Sequence, residues 1–399
     1  MKTILAEAEK LQPELVAIRQ HLHANPELSY NEYNTAAFIS SYLERLGIEH
    51  KKGVAGTGII GYLRGTGAGS LNIGLRAEMD ALPVTERNDV TYKSRTPGVM
   101  HACGHDAHMA MLLGTAVILR KMSHLFGGTI IFIFQPGEEK SPGGASLMIA
   151  SGELNDPAPD IVLAQHVLPE LETGKIGYRA GRYMASADEI YITVAGRGGH
   201  AALPDLYTDQ IYIASKLIVA VKDAIRESGQ RKGIPTVFGI GKITGPGATN
   251  VIPEKVEIAG TFRTFDESWR AEAADMIREI AAKTASVEGV TIDVNILRGY
   301  PVLVNDEELT AMAATLSSEL FGSEKIEFFG LRMTSEDFSF FTEKYPSLYY
   351  RVGIKPPGSA MRMLHTSGFD IDEDALQYGA ANLSWLTIGL SARNKYGEE

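Results

Sequence analysis

Residues 188–196 alternate apolar and polar side chains with the two-residue period of a strand, and Ile211, Ala214, Ile218, Val221 and Ile225 then recur at helical spacing. Residues 236–243 and 256–264 read as strands joined by a Gly/Pro-rich connection, 269–285 as a helix and 290–297 as a strand. Strand, helix, strand, strand, helix, strand is the order of a ferredoxin-like unit. The chain on either side has a different pattern. Leu11, Leu15, Ile18 and Leu22, then Ala36, Ile39, Leu43 and Leu46, mark two amphipathic helices, the second stopped by Gly47. Apolar runs at 58–63, 71–77, 129–135 and 161–165 follow, with a helical run at 107–121 among them. After the ferredoxin-like unit come a helix near 307–320, a strand at 348–352 and a closing helix at 372–390. The expectation is a layered α/β domain, a mixed sheet flanked by helices, made of residues 1–186 and 299–399 and interrupted by an inserted domain at 187–298.

Three of the apolar runs lead straight into polar residues: Glu78 and Asp80, then Glu138 and Glu139, then His166. In open α/β sheets ligands bind beyond the carboxyl ends of the strands, so these residues are expected to meet in one crevice. Gly65-Thr-Gly-Ala-Gly69 precedes a strand where a dinucleotide-binding loop would precede a helix, and reads as a hairpin turn.

Charge and cysteine usage narrow the function. Thirty-eight Lys and Arg against forty-nine Asp and Glu leave a net charge of -11, which argues against nucleic acid or an anionic membrane as the partner. A single cysteine, Cys103, excludes an intrachain disulfide. The first ten residues, with Glu7 and Glu9, hold no apolar run of signal-peptide length, and the expected location is the cytoplasm.

Three histidines crowd around that cysteine in His101-Ala-Cys-Gly-His-Asp-Ala-His108. Cys103 and His105, two apart with Gly104 between them, can turn a thiolate and an imidazole toward one metal, and Asp106 stands where it could cap the following helix. The same octet also reads as a capped helix start with a buried thiol. Gln135-Pro-Gly-Glu-Glu139 ends an apolar strand in two adjacent carboxylates. Outside a helix, neighbours point in different directions, so one carboxylate can hold a metal while the other handles a proton; alone, the turn also reads as a solvated acidic loop. Asp80, His166 and His365 in similar settings favour the metal. Cys103, His105, one of the two glutamates, His166 and His365 exceed what one tetrahedral zinc needs, and with one bridging ligand they suit two ions about 3.5 to 4 Å apart. A metal-bound thiolate is a plausible bridge.

Arg76-Ala-Glu-Met-Asp-Ala-Leu-Pro83, the His101 octet, Pro136-Gly-Glu-Glu139, Gln165-His166, Gly196-Arg-Gly-Gly-His200, Asn250-Val-Ile-Pro253, Met333-Thr-Ser-Glu-Asp-Phe338 and Leu364-His365 occur in the order found in the aminoacylase and carboxypeptidase family of co-catalytic metallopeptidases. The Cys-Gly-His form resembles its amidohydrolase branch, which includes hippurate hydrolases, N-acyl-amino-acid deacylases, N-acetyldiaminopimelate deacetylases and hydrolases of indoleacetic acid conjugates. The resemblance spans nearly the whole chain, beginning at His21-Leu-His-Ala-Asn-Pro-Glu27. It implies that Cys103, His105, Glu139, His166 and His365 hold two divalent ions (zinc, manganese, cobalt or nickel), that Glu138 is the general base, and that Asp80 orients the site without ligating. It further implies that the insert is a lid and dimerisation domain whose His200 serves the partner subunit's oxyanion. Asn250 and Arg263 match positions that bind the substrate carboxylate. Two residues depart from the branch: Glu78 stands where aspartate is commoner, and Asp205 follows Pro204 where histidine is usual.

The implied activity is hydrolysis of the amide bond of an N-acyl amino acid by a homodimer or higher homo-oligomer. Dipeptidase or carboxypeptidase specificity, a non-catalytic metal-binding member of the fold, and cysteine catalysis by Cys103 are the competing readings. The last leaves Glu138, Glu139, His166 and His365 without a role.

Overall fold

A computed structural model of the chain describes residues 1–392, which divide into two compact units. The first comprises Met1–Gly181, Val304–Gly330 and the chain from Asp337 onward; the second comprises Arg182–Leu303 and Leu331–Glu336. The second unit thus begins earlier and ends later than the 187–298 read from periodicity, and it recruits a distant six-residue segment. Neither the irregular flanks nor that segment carries a period that sequence reading can detect.

In the first unit an eight-stranded mixed sheet runs in the order Glu49–Val54, Gly58–Arg64, Thr129–Gln135, Ile73–Glu78, Ile161–Glu172, Ser347–Lys355, Ile176–Tyr178, Ile326–Phe328. Ile73–Glu78 lies parallel to both of its neighbours and has no exposed residue, as expected for a strand covered on both faces. Thr129–Gln135 separates Gly58–Arg64 from Ile73–Glu78, so residues 65–69 are a connection across the sheet and not the expected hairpin turn. The glycines there allow close backbone approach: a Cβ on Gly65 would lie 2.1 Å from the Phe126 carbonyl oxygen. His166 does not end its strand, which continues to Glu172; the polar residue had read as a boundary because it interrupts the apolar run.

Helices Lys2–Ala24, His105–Lys121 and Ala375–Ser391 pack together. His105–Lys121 is buried from His105 to Leu119, which accounts for its near absence of a polar face. It approaches its neighbours at Gly114, where a Cβ would lie 2.6 Å from Leu15 and 3.3 Å from Ala380.

The second unit is an antiparallel sheet in the order Thr236–Thr244, Lys255–Thr264, Asp188–Ala195, Thr291–Arg298, which is the ferredoxin-like topology. Alternate residues Ile190, Ile192 and Val194 face a core completed by Val256, Ile258, Phe262 and Trp269. Its two helices, Gln210–Lys232 and Glu267–Glu288, are capped by Asp209 and Asp266, whose side chains accept the Tyr212 and Trp269 N–H groups, and each ends at a left-handed glycine, Gly233 or Gly289. Among the described residues no helix is long and apolar enough to cross a membrane.

Candidate metal centre

Cys103, His105, Glu138, Glu139, His166, His365 and Asp80 all belong to the first unit. Asp80 and the two glutamates follow the parallel neighbours Ile73–Glu78 and Thr129–Gln135, and His166 lies in Ile161–Glu172. Cys103 stands in the turn that opens the His105–Lys121 helix. Gly104 caps that helix at φ +85°, and a Cβ there would meet Val167 Cγ2 at 2.5 Å, so the turn requires glycine. Asp106 does not cap the helix. Because the helix starts at His105, Asp106 falls in its first turn and points to Arg19 and His23.

Cys103 Sγ is 3.4 Å from His166 Nε2 and 3.4 Å from His365 Nε2. His365 Nε2 is 3.3 Å from Glu139 Oε1, which is 4.0 Å from His105 Nε2. The ligand atoms form overlapping groups within 4.8 Å: Cys103 with His105 and His166, Cys103 with Glu139 and His365, and His105 with Glu138 and Glu139. Cys103 is common to the first two, the arrangement a bridging ligand requires. The histidines are also oriented for coordination. His105 Nδ1 donates to the Asp80 carbonyl at 2.9 Å and His166 Nδ1 to the Val167 carbonyl at 2.7 Å, which leaves each Nε2 lone pair turned inward. His365 adopts φ +60°, unusual for a residue with a Cβ, and its N–H donates to the Ala102 carbonyl at 2.8 Å.

This donor set fits metal ions. His105 Nε2 and Glu139 Oε1 are buried with no hydrogen-bond partner, a costly state unless something else satisfies them. Burial pushes the His105 imidazole down, but the hydrogen bond to Asp80 and the charges of Glu78, Asp80 and Glu139 lift it to about 10. Burial, then Glu139 and Glu138, push the Cys103 thiol well above its usual value. Apart from burial, both shifts come from the carboxylates gathered around these side chains, a setting that favours a cation. His166 is held well below its usual value by burial and so stays neutral, as a ligand must. Asp80 accepts from Ser29 Oγ at 2.7 Å and from the Glu139 N–H at 3.0 Å; burial opposes its charge, but His105 and these donors hold its carboxyl below the usual range.

Glu78, His105 and His108 form another close group, but its atoms are committed elsewhere. Buried Arg76 donates to Gln135 at 2.8 Å, to Asp337 at 2.5 Å and to Glu78. Glu78 also accepts from His108 Nδ1 at 2.7 Å, while His108 Nε2 accepts the Val167 N–H at 2.9 Å. The octet's outer histidine therefore pins the strand beside His166. His101 is buried with both ring nitrogens unpartnered and held neutral by burial, at about 3.

His200, Asn250 and Arg263 lie in the second unit. His200 is exposed in a two-stranded ribbon opposite Val251, next to Asn250, whose carbonyl accepts the Ala201 N–H at 3.0 Å. Its Nδ1 accepts the Ala202 N–H at 3.1 Å, so the donor is Nε2. Half-buried Arg263 donates to the Met333 carbonyl at 3.0 Å and Ser335 Oγ at 3.3 Å, both neutral, and burial lowers its pKa. It has room in its charge balance for an anion.

Sequence reasoning missed a second buried ionic group. Arg19, fully buried, donates to Asp106 at 2.8 Å, Asp370 at 2.7 Å and Glu373 at 3.2 Å, joining the segments that follow His105 and His365. His23 contacts Asp106 at 2.8 Å and Glu86 at 3.2 Å. A signal existed: Arg19 is four residues after Leu15, on the helix's apolar stripe.

Residues 74–386 match the model of peptidase family M20/M25/M40. The chain is 37% identical over 389 residues to Thermostable carboxypeptidase 2 of Saccharolobus solfataricus, covering 96% of this chain and 97% of that protein. It is 36% identical over 372 residues to IAA-amino acid hydrolase ILR1-like 4 of Arabidopsis thaliana, covering 92% of this chain and 83% of that protein. Among solved structures it resembles one from methicillin resistant Staphylococcus aureus, with TM-score 0.91, 31% identity and coverage of 98% and 99%. It also resembles the Bacillus subtilis YXEP protein, a dinuclear metal binding peptidase from the M20 family, with TM-score 0.82, 29% identity and coverage of 95% and 98%. The ordered motifs, the fold and these matches agree: the chain belongs to peptidase family M20/M25/M40.

Proposed function

We propose that the protein hydrolyses the amide bond of N-acyl amino acids. The observation that carries this reading is the pair Glu138 and Glu139, adjacent carboxylates within 4.8 Å of His105 in a buried donor cluster. Cys103, His105, Glu139, His166 and His365 would hold two divalent ions, which supply the Lewis acidity that makes a water nucleophilic near neutral pH and polarises the scissile carbonyl. Glu138 takes the proton of the attacking water and returns it to the departing amine. Asp80 fixes the His105 ring and, through the Glu139 N–H, the turn that carries both glutamates. His200 donates from Nε2 to the carbonyl oxygen as charge develops there, reaching the site of the partner subunit in a homodimer. Arg263 and Asn250 hold the carboxylate of the substrate; the neutral surroundings of the Arg263 guanidinium support that role.

A carboxypeptidase reading is favoured by the Saccharolobus relative. Both substrate classes place a free carboxylate next to the scissile amide and differ in the acyl side. The test is a panel of N-acetyl, N-benzoyl and indoleacetyl amino acids beside blocked and unblocked peptides. The expected result is turnover of acyl amino acids, abolished by a chelator and restored by added zinc, manganese, cobalt or nickel. Release of C-terminal residues from peptides alone would decide for the carboxypeptidase, and chelator-resistant activity would refute the metal mechanism.

A further inference from the structure

Residues 29–32, between the helices Lys2–Ala24 and Tyr33–Arg45, grip the 137–140 turn that carries Glu138 and Glu139. Glu32 Oε1 accepts the Gly137 N–H at 2.8 Å, and the Tyr30 hydroxyl donates to the Lys140 carbonyl at 2.8 Å. Ser29 Oγ donates to Asp80 Oδ2, the same oxygen that accepts the Glu139 N–H. The peptide N–H groups of Gly137 and Glu139, on either side of Glu138, are therefore both accepted by buried carboxylates.

Three features indicate that this grip is built for position. The Tyr30 ring occupies the space above Gly137, where a Cβ would fall 2.3 Å from Tyr30 Cε1, so ring and turn form one close-packed joint. Tyr30 itself adopts φ +66°, a left-handed conformation that opposes any side chain with a Cβ and persists only where the surroundings enforce it. Glu32 is fully buried and also accepts from the Tyr30 N–H at 2.8 Å and Thr57 Oγ1 at 2.6 Å, which fixes the carboxylate that does the holding.

We propose that residues 29–32 are the mould for the general base: Tyr30 and Glu32 are positioning residues that clamp both ends of the 137–140 turn and so place the Glu138 carboxylate at the reacting water. The inference rests on the assignment of Glu138 as general base. Side chains misplaced by about 1 Å can cost on the order of 100-fold in rate, which sets the expected scale.

The test compares Tyr30→Gly, Tyr30→Phe, Glu32→Gln and Glu32→Ala, each loaded with metal, for metal content, KM and kcat on the acyl amino acid that the unmodified protein turns over. Glycine suits the backbone at position 30, so Tyr30→Gly is expected to fold with its full metal content and unchanged KM, yet lose kcat by roughly 10- to 100-fold. Tyr30→Phe, which loses only the Lys140 contact, is expected to lose less. Glu32→Gln keeps an oxygen for the Gly137 N–H and is expected to hold near-normal kcat where Glu32→Ala does not. Should Tyr30→Gly fail to fold, the two Glu32 variants decide by the same criterion. Unchanged kcat in Tyr30→Gly or Glu32→Ala overturns the mould, as does a loss of activity fully accounted for by lost metal. Glu138→Gln measured alongside separates the two ideas: full turnover there ends the base assignment, whereas an inactive Glu138→Gln beside a fully active Tyr30→Gly ends only the mould.

Discussion

Glu138→Gln is expected to lower kcat by about 10²- to 10⁴-fold, the usual contribution of a positioned proton carrier, while both metals remain bound. The substitution keeps shape and removes the proton acceptor. Cys103, His105, Glu139, His166 and His365 keep their atoms, so metal analysis should match the unmodified protein while steady-state assays show the loss. Glu139→Gln should behave differently, losing metal and activity together. The grouping of His105 with both glutamates makes this contrast necessary. If Glu138→Gln sheds metal in proportion to activity, Glu138 is a ligand and the proton carrier must be sought elsewhere.

Arg19→Met is expected to destabilise the folded protein by about 3 to 5 kcal/mol, because removing one partner leaves buried charges uncompensated. Asp106 is fully buried and Asp370 nearly so, and both lose their strongest donor. Chemical denaturation of Arg19→Met and Arg19→Lys checks this; the lysine retains the charge but not the fork of donors and should fall between. Near-normal stability in the methionine variant would mean that the acids find other partners. His23 adds a pH dependence. Burial pushes its imidazole down, but Asp106 and Glu86 raise it to about 9, above the ordinary value of about 6.5. Its stabilisation is therefore fully present below about pH 6.5 and lost as the pH rises through about 9. Denaturation midpoints across that range should fall in the unmodified protein and change less in His23→Gln.

Much of the donor cluster was legible because a Cys-Gly-His turn and a strand running into two glutamates announce themselves locally. The ferredoxin-like unit was legible because its strands bury one face, leaving the alternation Ile190, Ile192, Val194 in plain view. What was not legible depends on pairing between distant residues. Nothing near Arg76 in the sequence indicates that its partners are Gln135 and Asp337, and nothing near Tyr30 indicates Gly137. The 65–69 connection was misread for the same reason: strand neighbours are set across the sheet, and Thr129–Gln135 inserts between runs that are consecutive in sequence. Asp106 was misread by two residues, since the cap position falls on Gly104.

The register of the ferredoxin-like sheet has a consequence for how the chain folds. Asp188 pairs with Arg298, the Ala187 N–H donates to the Tyr300 carbonyl at 3.0 Å, and the Gly299 N–H donates to the Asp188 carboxylate at 3.1 Å. The insert therefore enters and leaves on neighbouring strands. Once formed, it replaces a loop of more than one hundred residues by a short staple, which on logarithmic closure scaling spares about 1 kcal/mol of chain entropy when Ile161–Glu172 pairs with Ser347–Lys355. The four strands of this sheet are continuous in sequence and leave synthesis before the chain that carries His365, so their early folding would shorten the search by which the candidate ligands on either side of the insert, Cys103 and His365 among them, find each other.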